Sequence, residues 1–525
     1  MKSDLWLKYR WCCAVIAFLI VPMWAPAQTA SVSTWHNDNL RDGQNTQETI
    51  LTTANVNSTA FGKLFSYMVD GEIYAQPLYV PNLSVAGQTH NVVYVATEND
   101  SVYAFDADGL DSSPLWHDSL LAPGESAIPC KLKGICGVVS QTAGITSTPV
   151  IDVTGTTLYV LVLTLETNGS YLDRLHALDL TTGAEKFGGP VVIQASVPGT
   201  GAGSVGGVVT FNAAQQLQRP GLLLLNGAVY IGWGSFGDID PYHGWLMGYN
   251  STTLTQVAVF NTTPNGTRGA IWQAGGGISA DSSGFIYLQT ANGTFDVNVG
   301  GIDYGDSFLK ISTTGGLSVV NYFTPDNEGM LEYDDLDLGS GAGLILPTQA
   351  GSHPDEIVSA DKQGLIYLVD RNAMGGFSST TNNNVQTLTG PTGGYRDSAA
   401  YWNGALYYHG LGDYLRRYTI KNGLLSTNSV SKSPTTYMQG STPSVSANGT
   451  KNGIVWTIDP GKPPFKEPAV LHAYNALNLA QELYNSSQAG TRDTAGNGVK
   501  FTTPTIVNGK VYIGTANQLD VYGLL

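Results

Sequence analysis

Apolar positions along this chain come in short runs without helical spacing, and the runs recur in groups. A Pro-led or Gly-led apolar run is followed by a turn, then a run ending in Tyr-aliphatic, a few polar residues, an aliphatic run often carrying Ala-x-Asp, and a last run with an aromatic. Short apolar runs bounded by Gly, Pro, Asn and Asp predict β-strands. The first group is Gln76-Pro77-Leu78-Tyr79, Val92-Val93-Tyr94-Val95, Val102-Tyr103-Ala104-Phe105-Asp106 and Leu115-Trp116. The second runs from Thr148-Pro149-Val150 through Leu158-Tyr159-Val160 and His176-Ala177-Leu178-Asp179 to Phe187. Further groups open near Arg219-Pro220, Gly276, Gly341, Ser398, Thr442-Pro443 and Thr503-Pro504, which makes eight.

A four-stranded sheet that is apolar on both faces cannot bury itself alone, so such units stack around an axis. The pattern therefore predicts an all-β fold, an eight-bladed β-propeller of four-stranded antiparallel blades. The eighth group stops at Leu525 after three strands, while Lys63-Leu64-Phe65-Ser66-Tyr67 stands unclaimed before the first. That N-terminal strand is expected to close the last blade, which removes a free sheet edge. Residues 123–144 and 375–391 are long insertions between strands, where function tends to sit.

The N-terminus reads differently. Lys2, Lys8 and Arg10 precede the apolar run Trp11 to Val21, and Ala25-Pro26-Ala27 offers small residues for cleavage. Residues 1–27 therefore read as a secretory signal peptide, and residues 28–525 as a single propeller domain. The apolar run is too short for a membrane span and no later segment approaches one. An exported protein, periplasmic or secreted, is expected. Cys12 and Cys13 leave with the leader; Cys130 and Cys136 remain as a pair, expected to form a short-loop disulfide.

The formal charge is -16, and loss of Lys2, Lys8, Arg10 and Asp4 with the leader makes it -18. Nucleic acid and anionic membranes are thereby disfavoured as partners. Only 13% of residues are charged, with 63 Gly and 27 Tyr, as suits many short strands joined by tight turns.

Residues able to do chemistry concentrate between Ile271 and Arg371: Trp272, the turn Thr290-Ala291-Asn292-Gly293, the acidic cluster Asp334, Asp335 and Asp337, and the turn Asp361-Lys362-Gln363-Gly364. Each has an ordinary structural reading. Asn-Gly favours tight turns, acidic residues cap loops, a turn Lys is commonly exposed, and a Trp packs between blades. His243 with Asp238 and Asp240, Arg396 and Asp397 with Tyr395, and His409 with Asp413 are weaker candidates. There is no Gly-Lys-Ser/Thr phosphate loop and no His-Glu-x-x-His zinc helix.

With the unit drawn, the chain resembles the quinoprotein alcohol dehydrogenase family, eight-bladed propellers that bind pyrroloquinoline quinone. The resemblance rests on Trp35 with Arg41, Ala54-Asn55-Val56 and Leu64-Phe65 in the lead-in. It also rests on the repeat motif Ala177-Leu178-Asp179-Leu180-Thr181-Thr182-Gly183, in which Ala and Gly admit an aromatic between sheets. At the site level, Ile286 to Gly293 followed by Gly305-Asp306 is similar to the strand whose Asn binds calcium, which implies Asn292 as a ligand. Asp334-Asp335-Leu336-Asp337 before Leu344-Ile345-Leu346 looks like the segment of the catalytic aspartate and implies Asp337, also as a metal ligand. Ser359 to Arg371 is the nearest match and implies that Lys362 contacts the quinone oxygens; Trp272 would be the floor beneath the cofactor. Two departures stand out. Ser235 falls where the family has its calcium-binding Glu, with Asp238 or Asp240 as substitutes, and Cys130 and Cys136 are not adjacent as in the family's disulfide. No Cys-x-x-Cys-His occurs, so no haem is expected.

Two functions follow as expectations. One is an exported oxidoreductase that oxidises a small-molecule alcohol or sugar with pyrroloquinoline quinone and calcium: Asp337 takes the hydroxyl proton, and cations polarise the accepting carbonyl. The other is a non-catalytic propeller that binds a protein partner on one face. Polysaccharide cleavage by paired carboxylates has only the Asp334 to Asp337 cluster behind it, and three acids within four residues need not span a sugar ring.

Overall fold

The computed structural model describes residues 30–134, 136, 141–390, 393–394 and 396–525; the expected leader, with Cys12 and Cys13, and Tyr395 lie outside the described residues. Among these, eight four-stranded antiparallel blades form the propeller the pattern predicts. The first blade is Leu78–Val85, Gln88–Ala96, Ser101–Asp106 and Trp116–Ser119. The other inner strands are Val150–Asp152, Leu223–Leu225, Ser279–Ala280, Leu344–Ile345, Ala400–Trp402, Ser444–Asn448 and Thr505–Val507, each just after a predicted opening. The second strands are buried almost end to end, as in Thr157–Leu165, because neighbouring blades cover both faces. One outer strand departs from expectation. Phe187 takes a left-handed φ of 57°, which a strand cannot use, and the outer strand of the second blade forms at Val191–Val192 instead.

Aromatics hold adjacent blades together. Trp116, on the outer strand of the first blade, donates from Nε1 to Leu180 O of the second at 2.9 Å. Its ring lies over Gly183, where a Cβ would meet Cε3 at 2.8 Å. Trp402 repeats the device over Gly453, donating to Gly449 O. Gly183 of the motif thus admits the aromatic as expected. Cys130 and Cys136 form the expected disulfide, with their Cα atoms 4.9 Å apart. No helix among the described residues is long and apolar enough to cross a membrane.

The circle closes twice. At the rim, Phe61–Met68 pairs antiparallel with Gln518–Leu524 and completes the eighth blade, as predicted. At the axis, residues 32–48 bond to all eight blades in turn. Val32 exchanges backbone bonds with Tyr79, and Ser33 O accepts from Ile151 N. Asn39 Nδ2 donates to Leu224 O at 3.0 Å, and Asn39 O accepts from Ala280 N. Leu40, Asp42 and Gly43 accept from Ile345, Tyr401 and Val445. Asn45 Nδ2 donates to Ile506 O, and Glu48 Oε2 accepts from Gly509 N. Arg41 anchors this hub: buried at 1% exposure, it donates to Ile278 O at 2.8 Å, Trp35 O at 2.8 Å, Leu222 O at 3.3 Å and Thr34 Oγ1 at 2.6 Å.

Removing the Arg41 guanidinium strands several buried carbonyls, each costing about 1–3 kcal/mol when unpaired. Arg41→Ala is therefore expected to lower the unfolding free energy by about 3 kcal/mol or more in urea titrations, while Lys462→Ala at an exposed position changes it by less than about 0.5 kcal/mol. Equal effects of the two substitutions would show that the hub is not under load.

Candidate active site

A cavity of about 430 Å³ opens among the connections that lead into the inner strands. Trp272, Asn292, Asp337 and Lys362 all line it, joined by Ser235, Asp238 and residues from the sixth and eighth blades. Local geometry explains each placement. Asn292 follows the strand Ile286–Gln289, where the Thr290 hydroxyl ties the connection by donating to Tyr304 O at 2.6 Å and accepting from Ser307 N at 2.9 Å. Asp337 follows the helix Glu328–Asp334, which ends on Asp335 with a left-handed φ of 56°. The next peptide is fixed by Leu338 N donating to Asp306 Oδ1 at 2.9 Å. Lys362 occupies the turn between Glu356–Ala360 and Leu365–Asp370, where Asp361 accepts from Leu365 N and from the Tyr367 hydroxyl. Trp272 packs against Gly234 on one side and presents its ring to the cavity. It is both packing residue and cavity wall.

The centre of the site is an ion pair. Lys362 Nζ lies 2.5 Å from Asp337 Oδ2 and 3.0 Å from Asp335 Oδ1. Asp337 Oδ1 accepts from Asn292 N at 3.2 Å, and Asn292 Nδ2 donates to Asp335 Oδ1 at 2.9 Å. Burial pushes the Asp337 carboxyl above the usual carboxylate range, although Lys362 pulls against it. Burial disfavours the Lys362 ammonium, but Asp337 and Asp335 outweigh it and raise its pKa. Both shifts retain protons at the pair. Deeper in, Asp306 is fully buried and raised further, by burial and then by Asp337.

The donor set does not fit a calcium ion as arranged. Such an ion takes six to eight oxygens. Asn292 Oδ1 is buried without a partner and is available, but Asp337 faces an ammonium and a backbone N–H. Ser235 contributes only a hydroxyl, which bonds the Asp238 carboxylate, and Asp240 is drawn to Arg268 at 3.0 Å. Among the described residues no three His, Cys, Asp or Glu side chains converge for a metal.

The weaker candidates separate. Arg396 lines the cavity, and Asp397 lies buried beside it. His243 is structural: its ring nitrogens meet Thr263 Oγ1 at 3.0 Å and Ala202 O at 2.8 Å. His409 is buried against the Tyr437 ring, and Asp413 pairs with Arg416, both away from the cavity lining. The sequence reading missed Lys500, Phe501 and the rim bridge in which Arg268 joins Asp240 to Glu332 at 3.3 Å. A positional signal existed. Trp272, Asp337, Arg396 and Lys500 all lie a few residues before a blade opening, at Gly276, Gly341, Ser398 and Thr503.

With this geometry in hand, solved structures give the comparison. A quinohemoprotein alcohol dehydrogenase from Pseudomonas putida superposes with a TM-score of 0.62 at 14% identity, covering 95% of this chain and 80% of that one. The fold is that of the quinoprotein alcohol dehydrogenases. A quinohemoprotein alcohol dehydrogenase from Comamonas testosteroni gives 0.58 at 13% identity, covering 95% and 81%, and a europium-containing methanol dehydrogenase gives 0.59 at 12%, covering 95% and 99%. No protein-family model and no curated protein matches the chain. The quinoprotein fold is thus shared across nearly the whole chain, while side chains have diverged almost completely.

One buried acid reports on the site through pH. Burial raises Asp397 from its ordinary 3.8 to about 8, with Lys500 and Arg396 pulling it down. A carboxyl whose folded pKa is raised adds stability below its unfolded pKa and loses it as pH rises through the folded one. Between pH 4 and 8, Asp397→Asn should therefore gain on the wild type by up to about 1.4 kcal/mol per pH unit, read from urea midpoints at fixed salt. Parallel pH profiles would place Asp397 in contact with water.

Proposed function

We propose that this chain is an exported quinoprotein-type oxidoreductase that oxidises the hydroxyl of an alcohol or sugar in the axial cavity. One observation carries the reading: Trp272, Asn292, Asp337 and Lys362, which the resemblance implies in separate segments, line a single cavity around a buried ion pair. The cavity has the size of small cofactor sites and an aromatic wall suited to a planar ring. Pyrroloquinoline quinone, when bound, would supply the two-electron acceptor for the hydride released from the alcohol carbon. Lys362 would hold the ligand by donating from Nζ to a carbonyl oxygen, and Asp337, freed from the ammonium, would take the hydroxyl proton. Its raised pKa suits a base working nearer neutrality. The leader-like residues 1–27 and the Cys130–Cys136 disulfide support export to an oxidising compartment. A second reading, a ligand-binding scaffold without turnover, is favoured by the Ser235 hydroxyl where a carboxylate was expected.

Calorimetric titration of the purified protein with pyrroloquinoline quinone, followed by an assay with an artificial electron acceptor over alcohols and sugars, tests this. Single-site binding is expected, weakened about tenfold or more by Lys362→Ala. Asp337→Asn should retain binding yet lower kcat about 100-fold. Because an ammonium already faces Asp337, adding Ca²⁺ or a chelator should shift the quinone affinity by less than about threefold. Absence of binding overturns the proposal; binding without turnover on any hydroxyl substrate favours the scaffold.

A further inference from the structure

We infer that a groove at the rim, between the second and third blades, is a binding site for a neutral carbohydrate. It encloses about 660 Å³, within the range of small-molecule sites, and shares no lining residue with the axial cavity. Most of it is made by residues 193–215, which carry the chain from one blade to the next and fold on the way into a hairpin, Ser196–Pro198 with Val208–Thr210. That hairpin is clamped. Gly201 N donates to Pro264 O at 2.9 Å and Ala202 N to Gly266 O at 2.8 Å, while the buried His243 ring donates from Nε2 to Ala202 O at 2.8 Å. A long connection held at its tip keeps one shape, and such connections are where binding sites are placed.

The side chains in the groove select the ligand class. No Asp, Glu, Lys, Arg or His among the described residues lines it, on a chain whose formal charge is -16. Its polar groups are amides and hydroxyls, from Gln194, Asn212 and Gln256 and from Tyr171, Ser196 and Thr210. Ser196 and Thr210 are directly opposed in the hairpin, so both hydroxyls stand on one face. Neither hydroxyl, nor the side-chain amide of Gln194, makes a hydrogen bond to another described residue. Gln256 is oriented: its Nε2 donates to Gln194 O and to the Tyr249 hydroxyl, each at 3.0 Å, which leaves Oε1 to accept. Asn212 is the converse, since its Oδ1 accepts from Ala214 N at 3.1 Å and its Nδ2 remains to donate. Uncharged donors and acceptors together match sugar hydroxyls, each of which does both.

Two aromatic residues supply an apolar surface. Phe211 meets Trp233 and Trp245 edge-on, with ring centres 5.1 and 5.9 Å away, and forms a fixed floor. Tyr171 is half-buried, and Lys133 Nζ, held by Ala214 O at 2.5 Å, lies 4.6 Å from its ring centre and pins the ring. A sugar ring packs its C–H face on such a surface while the hydroxyls at its edge reach amides. Other ligand classes fit less well. An anion meets no cation in the lining, and a wholly apolar ligand would leave the amides and hydroxyls unpaired. An extended peptide takes main-chain bonds from a free strand edge, and the outer strand beside the groove, Val191–Val192, has only two residues.

Native electrophoresis of the full chain through gels containing dextran, soluble starch, hydroxyethyl cellulose or alginate tests the site, because the net negative charge drives migration and binding slows it. At least one neutral polymer should retard the chain, and alginate, which is anionic, should not. Calorimetry with a tetrasaccharide of the retarding polymer should then show saturable binding, weakened about tenfold by Tyr171→Ala and by Asn212→Ala. Should Tyr171→Ala fail to fold, Asn212→Ala at its exposed position decides. Trp272→Ala, in the axial cavity, should leave the affinity unchanged. Retardation by no neutral polymer, equal retardation by alginate, or loss of sugar binding through Trp272→Ala but not Asn212→Ala would overturn the inference. Saturable binding of tryptic casein peptides that Asn212→Ala abolishes would overturn it in favour of a peptide site.

Discussion

Hydrogen bonds from a single polar stretch, residues 32–48, mostly through backbone and at the third and eighth blades through Asn39, Asn45 and Glu48 side chains, hold eight sheets in one circle. Each blade is apolar on both faces and packs against its neighbours, but face packing is non-directional and fixes no register. The hub supplies direction. Ile151, Ala280, Ile345, Tyr401 and Val445 each donate a backbone N–H to it, one per blade. The same chain then leaves the axis and, as Phe61–Met68, becomes the outer strand of the eighth blade. One segment therefore closes the centre and the rim: sliding of any blade breaks its bonds to the hub, and sliding of the eighth also breaks the rim pairing. Arg41 converts this path into a fixed plug because its donors satisfy carbonyls of the third and fourth blades as well as of the hub itself.

A rigid frame lets the cavity carry charge that a looser one would hydrate. Asp337, Asp306 and Asp397 are buried, and burial pushes each carboxyl above its usual range. Lys362 resists the same burial because two carboxylates reach it. Lys500 has no such pair and moves the other way. The cavity is thus divided: a neutralised side around Asp337, and a cationic side around Phe501. A buried ion pair adds little net stability, and an unpaired cation subtracts from it, so neither is explained by the fold alone.

Much of this was legible before the coordinates. Blade openings are marked by Pro and Gly, whose backbone restrictions leave a local signature, and an orphan strand at Lys63 to Tyr67 matched a missing strand at the other end. Trp272, Asn292, Asp337 and Lys362 were found because each sits in a segment with a recognisable order. The hub was not legible, since it bonds mostly through backbone and backbone leaves no pattern in residue type. Lys500 and Phe501 were missed because a Lys beside a Phe in a loop is ordinary; only the axis brings them against Arg219. Phe187 was misplaced because an aromatic after a turn was read as a strand when Gly188, Gly189 and Pro190 deny it one.

At 12–14% identity the solved neighbours share this frame, and the fixed positive charge beside Asp337 here comes from Lys362. With Asp337 and Asp335 paired to Lys362 and the Ser235 hydroxyl bonded to Asp238, the site offers a divalent ion few free ligands, and Lys362 places a fixed positive charge at the carboxylate. An ammonium polarises a carbonyl less strongly than a divalent ion and donates in a defined direction. Orientation must then come from elsewhere in the cavity. Lys500, Arg396 and the aromatic rings of Trp272 and Phe501, which line the same cavity, are the groups available to supply it.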